Sequence, residues 1–206
     1  MFICTVGACV AEEEVDMSRK VGLLTILLTG LVWGLAEIFV GDVFYKFHMP
    51  FRSGSLTAVG MALLVISRMV CDRPGSSLGA GALAGVIRCL VPKVYLCHLV
   101  AIALEGLTFD IVWSALRAGE RQTLRRAWVA GAIAIYSGFL AFGAASIYLF
   151  KFQKWVAGGM TGVGAWTLKS GSFGVALFIV LAPVALKVGR SLAARVPHPI
   201  EDRVAP

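Results

Sequence analysis

Residues 103–116, ALEGLTFDIVWSAL, carry two carboxylates, Glu105 and Asp110, inside a long apolar run. The run extends back to about residue 94, so it is long enough for a helix that spans the hydrocarbon core, which needs about 20 residues. A charged side chain at mid-membrane costs about 2.5–3.5 kcal/mol on insertion scales, so such residues face a bundle interior or a wet cavity. The two acids therefore predict a membrane helix with a polar face and a functional site on that face.

The composition of the whole chain fits a membrane protein. Its 206 residues are 58% hydrophobic and only 15% charged, with a mean hydropathy of +0.83. A soluble domain carries about 25% charged residues. The chain has a net charge of +7, and its basic residues lie between the apolar runs without forming a soluble basic block. We interpret it as loop charge facing an anionic cytoplasmic leaflet, not as a nucleic-acid surface.

The apolar runs predict an all-α integral membrane bundle of six transmembrane helices. The third run is short and rich in Gly and Ala, so we expect it to be buried among the others. Residues 20–192 form the predicted transmembrane domain. Residues 1–19 form an N-terminal segment with no assigned fold, disordered or, if translation starts at Met17, not translated; residues 193–206 form a tail. The predicted spans are 20–41, 55–71, 78–91, 94–116, 127–150 and 170–192.

Basic residues predict the orientation. With the N-terminus inside, 12 of the 19 Lys and Arg residues fall on the inner side and 7 on the outer side. The excess of basic residues marks the cytoplasmic side. Both termini are therefore predicted to be cytoplasmic, in a multi-pass protein of the cell membrane. The segments 41–54 and 151–171 are then both outer loops.

Polar residues inside the spans converge on the outer half. His98 and Glu105 are seven residues apart and share a helical face, whereas Asp110 points elsewhere. Glu37 follows Trp33 by four residues on one face of the first span. Together with the outer loops, they predict an outward-facing polar pocket. The predicted substrate-binding residues are Glu37, Arg88, His98, Glu105, Trp166 and Lys169.

Structural alternatives remain open for these residues. Glu105 pairs with Arg88 as a structural lock, or it faces a cavity. His98 is a ligand contact or a hydrogen-bonded packing residue, and Asp42 is part of the pocket or a solvated helix-end acid. Trp166 stacks on a ligand or belongs to the aromatic belt at the membrane interface.

Motifs for self-sufficient chemistry are not recognised. Neither a GxxxxGK[ST] phosphate loop nor an HExxH zinc motif is present. The five cysteines are irregularly spaced and are interpreted as packing residues. No cofactor, resident metal or enzymatic activity is therefore predicted.

The segment RPGSSLGAGALAGVIRCL, followed by LVAIALEGLTFDIVW, resembles the substrate-binding S components of energy-coupling factor (ECF) transporters. The resemblance rests on a glycine-rich short third helix and a fourth helix with Glu-Gly before a second acid. It covers about residues 73–116, and the chain length, six spans and inside termini agree. The matching residues are Gly79, Gly81, Gly85, Glu105, Gly106 and Asp110.

The resemblance implies a protein without ATPase activity that binds a vitamin, a vitamin precursor or a similar small polar molecule. It also implies docking on a transmembrane coupling subunit and cytoplasmic ATPases. Small residues of the first helix, Gly30, Gly34 and Ala36, would form the docking surface, although the family's alanine-based motif is not reproduced. Internal packing of the bundle is the alternative for these small residues.

The expected ligand is a polar or cationic small molecule that the acids and the histidine orient. Two other functions remain open. One is a self-sufficient proton- or ion-coupled carrier in which Glu37, Glu105 and Asp110 titrate. The other is a small membrane enzyme or an assembly subunit without a ligand.

Overall fold

The structure, a computed structural model, describes residues 4–91, 96–116 and 122–196, with side chains from Lys20 onward. Within these ranges the chain is all-helical and contains no strand. Seven elements follow one another along the chain: α1 Cys4–Lys46, α2 Arg52–Val70, α3 Ser76–Cys89, α4 Leu96–Ala115, α5 Thr123–Ala144, a π-helical turn Ala145–Leu149 that continues α5, and α6 Gln153–Ala193.

Five helical segments are long and apolar enough to cross a membrane, which indicates a multi-pass membrane protein. The sixth helix, α3, has 14 residues. At 1.5 Å per residue it is about 21 Å long, shorter than the hydrocarbon core of about 30 Å. The count of six spans and the cytoplasmic placement of both termini stay predictions. The five segments are Lys20–Lys46, Arg52–Val70, Leu96–Ala115, Thr123–Leu149 and Gln153–Ala193.

The helices pack as a closed ring in the order α1, α3, α4, α5, α6, α2, and α2 returns to α1. Large side chains from several helices fill the ring. Trp33, Met61, Phe109, Trp113 and Phe178 are each at most 1% exposed. Burial of these groups between close-packed helices supplies the dispersion contacts that hold a bundle together in lipid.

Successive helices run in opposite directions, so the chain has two distinct ends. One end is formed by the α1–α2 connection, the start of α4 and the connection before α6. We call it the 41–54 end. The other end gathers Arg68, the start of α3, the end of α4 and the start of α5; we call it the Arg68 end. In the orientation predicted from basic residues, the 41–54 end is outside.

Glycines allow α3 to pack closely between α1 and α4. A Cβ on Gly81 would lie 2.8 Å from the Ile102 carbonyl oxygen, and one on Gly106 would lie 2.5 Å from the Ser77 carbonyl oxygen. Only a residue without a side chain permits this backbone approach. The prediction that α3 lies among other helices fits this packing on α1 and α4, although Val86 remains exposed.

The glycines of α1 are used in the same way, which fits the alternative of internal packing; their role in partner docking stays a prediction. A Cβ on Gly30 would lie 2.8 Å from the Ala80 carbonyl oxygen, and one on Gly34 would lie 2.8 Å from the Ile87 side chain. Both positions are therefore covered by α3, as the alternative of internal packing expects. Ala36 is half-buried, and a docking role for it stays a prediction.

The segment 151–171, expected to be an outer loop, is mostly helical. α6 begins at Gln153, and its backbone leaves helical geometry only at Gly159, with φ 56° and ψ −168°. The prediction of a loop, based on the glycines of VAGGMTGVGAW, was wrong. An apolar chain next to lipid must satisfy its backbone hydrogen bonds internally, and this requirement outweighs the low helix propensity of glycine.

The two predicted terminal segments lie partly within the described residues. Helix α1 begins at Cys4, inside the segment 1–19 to which the sequence assigns no fold. Residues 197–206 of the predicted tail lie outside the described residues, as do Pro92–Tyr95 and Arg117–Arg121.

Candidate functional site

The 41–54 end contains a cavity of about 620 Å³. Its walls come from the end of α1, the start of α2, the first turn of α4, the end of α5 and the first part of α6. Half of the lining residues are aromatic: Phe44, Tyr45, Phe51, Phe142, Phe152, Trp155 and Trp166.

The chain between α1 and α2 is shaped to form one wall. His48 and Phe51 are non-glycine residues with positive φ angles, 51° and 56°. A left-handed backbone costs an ordinary residue about 1–2 kcal/mol, so the packing around this turn must compensate. Phe51 stacks on Phe173 of α6 with ring centroids 5.0 Å apart, which anchors the turn to the bundle.

An aromatic cluster joins α4, α5 and α6 at the cavity. Trp166 lies with its ring centroid 4.7 Å from that of Phe139, 5.6 Å from Phe142 and 5.0 Å from Trp155. The His98 ring meets Phe142 edge-on at 4.9 Å. Offset and edge-to-face contacts of this kind fix the orientation of each ring. The cluster therefore presents a preformed apolar wall.

The polar lining is basic. It consists of His48, Arg52, Ser53, His98, Lys154 and Ser170, together with the Tyr45 hydroxyl, and it contains no carboxylate. The Arg52 guanidinium lies 4.9 Å from the Tyr45 ring centroid. Arg52 and Lys154 form no ion pair with any carboxylate that the structure describes.

Both basic residues lie in the first turn of a helix. Arg52 begins α2 and Lys154 is the second residue of α6, and neither first turn contains an acid or a side-chain cap. A cation near a helix N-terminus is unfavourable by about 0.3–1 kcal/mol, because the helix dipole is positive there. The sequence thus concentrates positive potential at the cavity and leaves the amide groups of both helix starts without side-chain acceptors.

Below the cavity, two buried acids meet between helices. Glu105 packs against Gly138 of α5, where a Cβ would lie 2.2 Å from the Glu105 side chain. The Thr57 hydroxyl of α2 is its hydrogen-bonding neighbour, and Glu37 of α1 is close enough for the two carboxyl groups to interact electrostatically. Glu37 and Glu105 are 9% and 4% exposed. Neither lines the cavity.

Arg88 is a basic neighbour of this acid pair. Its charge acts on Glu37, yet it forms no ion pair with Glu37 or Glu105, both of which the structure describes. A direct Arg88–Glu105 lock is therefore not present. The acid pair sits about 10 Å below His98, since Glu105 follows His98 by seven residues at 1.5 Å each.

The second acid of the 103–116 stretch has a different environment. Asp110 forms a buried ion pair with Arg68 at 3.1 Å, and its other oxygen accepts a hydrogen bond from the Leu78 backbone N–H at 3.1 Å. Arg68 also donates to Ser114 at 2.8 Å and to the Arg73 carbonyl. Asp110 therefore caps the start of α3 and ties it to α2 and α4.

Asp72 and Arg126 extend this network. The Trp113 indole N–H donates to Asp72 at 3.0 Å, and the Arg126 guanidinium stacks on the Trp113 ring at 4.4 Å. Arg126 lies 3.7 Å from Asp72. The Arg68 end is thus closed by a polar network, at the opposite end of the bundle from the cavity.

The structure brings some of the predicted site residues together and separates others. His98 and Trp166 line the cavity, and Lys169 lies beside it over the Phe51 ring at 5.6 Å. Glu37, Arg88 and Glu105 lie outside the cavity lining. Asp42 is exposed and pairs with Lys46 at 2.9 Å, which fits a solvated helix-end acid.

Sequence reasoning missed several lining residues, although it placed the 43–54 segment at the pocket. Arg52, Lys154, Phe142 and Trp155 line the cavity but are not among the predicted substrate-binding residues, although Arg52 lies in the 43–54 segment. A usable signal was present, since the starts of α2 and α6 combine basic residues with aromatic ones and lack acids. The Arg68 network gave no sequence signal beyond the buried Asp110.

Residues 75–79, GSSLG, fit the GxSxG pattern of serine hydrolases, so the interpretation that the sequence contains no such catalytic motif was wrong. That pattern needs an exposed serine between a strand and a helix. Ser77 is instead fully buried at the start of α3. Both described histidines line the cavity at the other end. The segment therefore acts in helix packing.

Metal ligands are not clustered in the part of the chain that the structure describes, where no group of three His, Cys, Asp or Glu side chains could hold an ion. No family model, curated protein or solved structure matches the chain. The class defined by the fold is an all-helical, multi-pass membrane protein with an aromatic and basic cavity at one end.

Proposed function

We propose that this protein is the membrane-embedded substrate-capture subunit of a multi-component uptake transporter of the ECF type. The observation that carries the proposal is the preformed cavity at the 41–54 end, which the distribution of basic residues predicts to face outside. Cavities of about 300–1,000 Å³ with aromatic walls and a few convergent polar groups are typical small-molecule sites.

The packed interior favours a capture subunit over a channel. Trp33, Phe109, Trp113 and Phe178 fill the ring of helices below the cavity. A ligand in the cavity would meet close-packed side chains and, at the far end, the Arg68 network. Release of the ligand to the other side then requires a rearrangement of the bundle that a partner drives. A capture subunit that depends on a coupling subunit and ATPases is expected to behave in this way.

Co-purification tests this assembly. The tagged protein would be extracted from native membranes in mild detergent, with an unrelated tagged multi-pass protein as the control, and all recovered proteins identified by mass spectrometry. Stoichiometric recovery of a membrane coupling protein and ATPases, absent from the control, is expected. Recovery of the chain alone, from membranes in which such ATPases are detected, would reject the assembly.

The Glu37–Glu105 pair favours a second candidate, a self-sufficient proton-coupled carrier. Two acids that share a buried position between α1, α2, α4 and α5 are typical of proton relays in transporters. Purified protein alone in liposomes would then take up a bound ligand when a pH gradient is imposed. Glu105→Gln would abolish that uptake and leave folding intact, whereas the capture subunit alone would show no gradient-driven uptake.

A further inference from the structure

The cavity lining identifies a ligand class that differs from the polar or cationic one expected from the acids. We propose that the cavity binds a small planar anion, an aromatic or heteroaromatic ring that carries a carboxylate or a phosphate. The ring lies against Trp155 and Trp166, and the anionic group lies between Arg52 and Lys154. This inference rests on the proposed capture function and names its substrate class.

The charge at this end of the bundle is the first argument. Segments 42–54 and 150–170 contain five basic residues and one acid, Asp42. That acid already pairs with Lys46. Arg52 and Lys154 line the cavity without a described carboxylate beside either one. A cationic ligand would be repelled by both, whereas an anion would form charge-assisted hydrogen bonds with them.

The helix starts supply a second, supporting argument. α2 and α6 both begin at the cavity, at Arg52 and Gln153, and neither has a side-chain cap or an acid in its first turn. Basic residues at the positive end of a helix dipole are unfavourable until an anion binds between them. An anionic ligand would therefore reduce the repulsion between the basic residues and the positive ends of the helix dipoles.

The aromatic wall sets the shape of the ligand. Trp155 and Trp166 meet at an interplanar angle of 70°, and Phe142 contacts both. Such a corner offers one ring face and one ring edge to a planar ligand, an arrangement favourable for stacking. His48 and His98 add hydrogen-bonding groups on the cavity wall. A ring with polar substituents would have both apolar and polar groups of the lining within its reach.

The two buried acids do not oppose this inference. Glu37 and Glu105 lie outside the lining, about two helical turns below His98. Glu105 packs against Gly138 of α5, one helical turn before Phe142, which lines the cavity. The anion would therefore be held at the mouth of the cavity, where the described charges are positive, and its apolar ring would point inward.

Calorimetric titration of the purified full chain in detergent tests the ligand class. The probes are benzoate, nicotinate and pterin-6-carboxylate, each compared with its neutral amide and its aminomethyl analogue at millimolar concentration. At least one acid should bind, about tenfold or more tighter than its amide, and its aminomethyl analogue should not bind measurably. Raising the salt concentration should weaken the acid.

Variants connect the binding to the named residues. Arg52→Gln with Lys154→Gln should weaken the bound acid about tenfold or more, whereas Lys151→Gln, an exposed neighbour outside the lining, should leave it unchanged. Circular dichroism and gel filtration would establish that the variants remain folded. Equal binding of acid and amide, preference for the aminomethyl compound, equal loss in Lys151→Gln or no binding of any acid would each overturn the inference.

The inference and the proposed assembly can fail separately. Selective binding of an acid by a chain that co-purifies with no coupling protein would retain the anion site and reject the ECF-type assembly. Recovery of the full assembly together with preference for an aminomethyl compound would retain the assembly and reject the anion.

Discussion

Replacing Asp110 with Asn should destabilise the protein far more than the same change at Asp42. Both acids form ion pairs at about the same distance, 3.1 Å to Arg68 and 2.9 Å to Lys46. Their surroundings differ, because the Asp110 pair is 1% and 6% exposed and the Asp42 pair is 70% and 59% exposed. Removing one partner of a buried pair costs about 3–5 kcal/mol, since the other charge stays buried without compensation.

The lower end of this range should apply to Asp110→Asn. Arg68 keeps Ser114 and, at 3.5 Å, Asp72, and the Asn side-chain oxygen can still accept from the Leu78 N–H. We expect a loss of about 3 kcal/mol in the free energy of unfolding, which lowers the midpoint of thermal unfolding by about 6–12 °C for a chain of this size. Asp42→Asn should cost about 0.5 kcal/mol or less, as exposed i,i+4 pairs do.

Thermal and denaturant unfolding in one detergent, followed by circular dichroism, would measure both variants. Arg68→Met combined with Asp110→Leu should recover part of the loss, because it removes both buried charges together. A loss for Asp110→Asn within about 1 kcal/mol of that for Asp42→Asn would refute the reasoning, since burial would then make no difference to the pair.

Three further predictions concern packing and backbone. Gly106→Ala should lower the free energy of unfolding by about 1–3 kcal/mol, because its Cβ would meet a carbonyl oxygen of α3 at 2.5 Å. The matched control is Gly164→Ala, where a Cβ meets nothing within 4 Å. This control should show no loss in the same denaturant titration. Trp113→Phe should cost about 1–3 kcal/mol in thermal unfolding, because the smaller ring leaves a cavity at a buried position and the half-exposed Asp72 carboxylate loses the indole N–H donor; no change would contradict both contributions. Gly159→Ala should cost about 1–3 kcal/mol, because a φ of 56° with a ψ of −168° lies in a region that essentially only glycine adopts, and a stability gain would show that the residue is helical there.

The helical class was predictable because apolar length is a direct physical requirement of a membrane span. Four of the six predicted spans have helices whose limits differ from the prediction by only a few residues: α2, α3, α4 and the extended α5. The alternating direction of the helices also predicted that the 43–54 segment, His98 and Trp166 lie at one end. These features depend on hydrophobicity and chain direction, which a sequence shows directly.

The two ends of the bundle were harder to predict, because they depend on contacts between distant residues. Arg68 is one of the 12 basic residues counted on the inner side, yet it is 2% exposed and pairs with an acid two helices further along the chain. Gly30 and Gly34 carried a small-residue pattern that fits any close helix neighbour. Only the three-dimensional arrangement identifies that neighbour as α3.

The charge of the cavity was also difficult to predict from the sequence. Sequence reasoning weighted the acids, because acids inside membrane spans are costly and therefore conspicuous. Arg52 and Lys154 are at helix ends, where basic residues are common, so they carried no comparable signal. Their importance comes from lining one cavity that contains no described carboxylate, and only the three-dimensional arrangement brings these two residues, distant in the chain, to that cavity.

The stretch 103–116 keeps two acids because its helix has different neighbours on two faces. Asp110 faces α3 and Arg68, where a counter-charge and a helix start compensate its burial. Glu105 faces Gly138 and Thr57, beside a second acid, and no described cation lies within ion-pair distance of it. A buried acid without a counter-charge reduces stability, and a purely structural role does not offset that loss. Stability therefore explains Asp110, and the explanation for Glu105 should be sought in the function, which we propose to be substrate capture or proton-coupled transport.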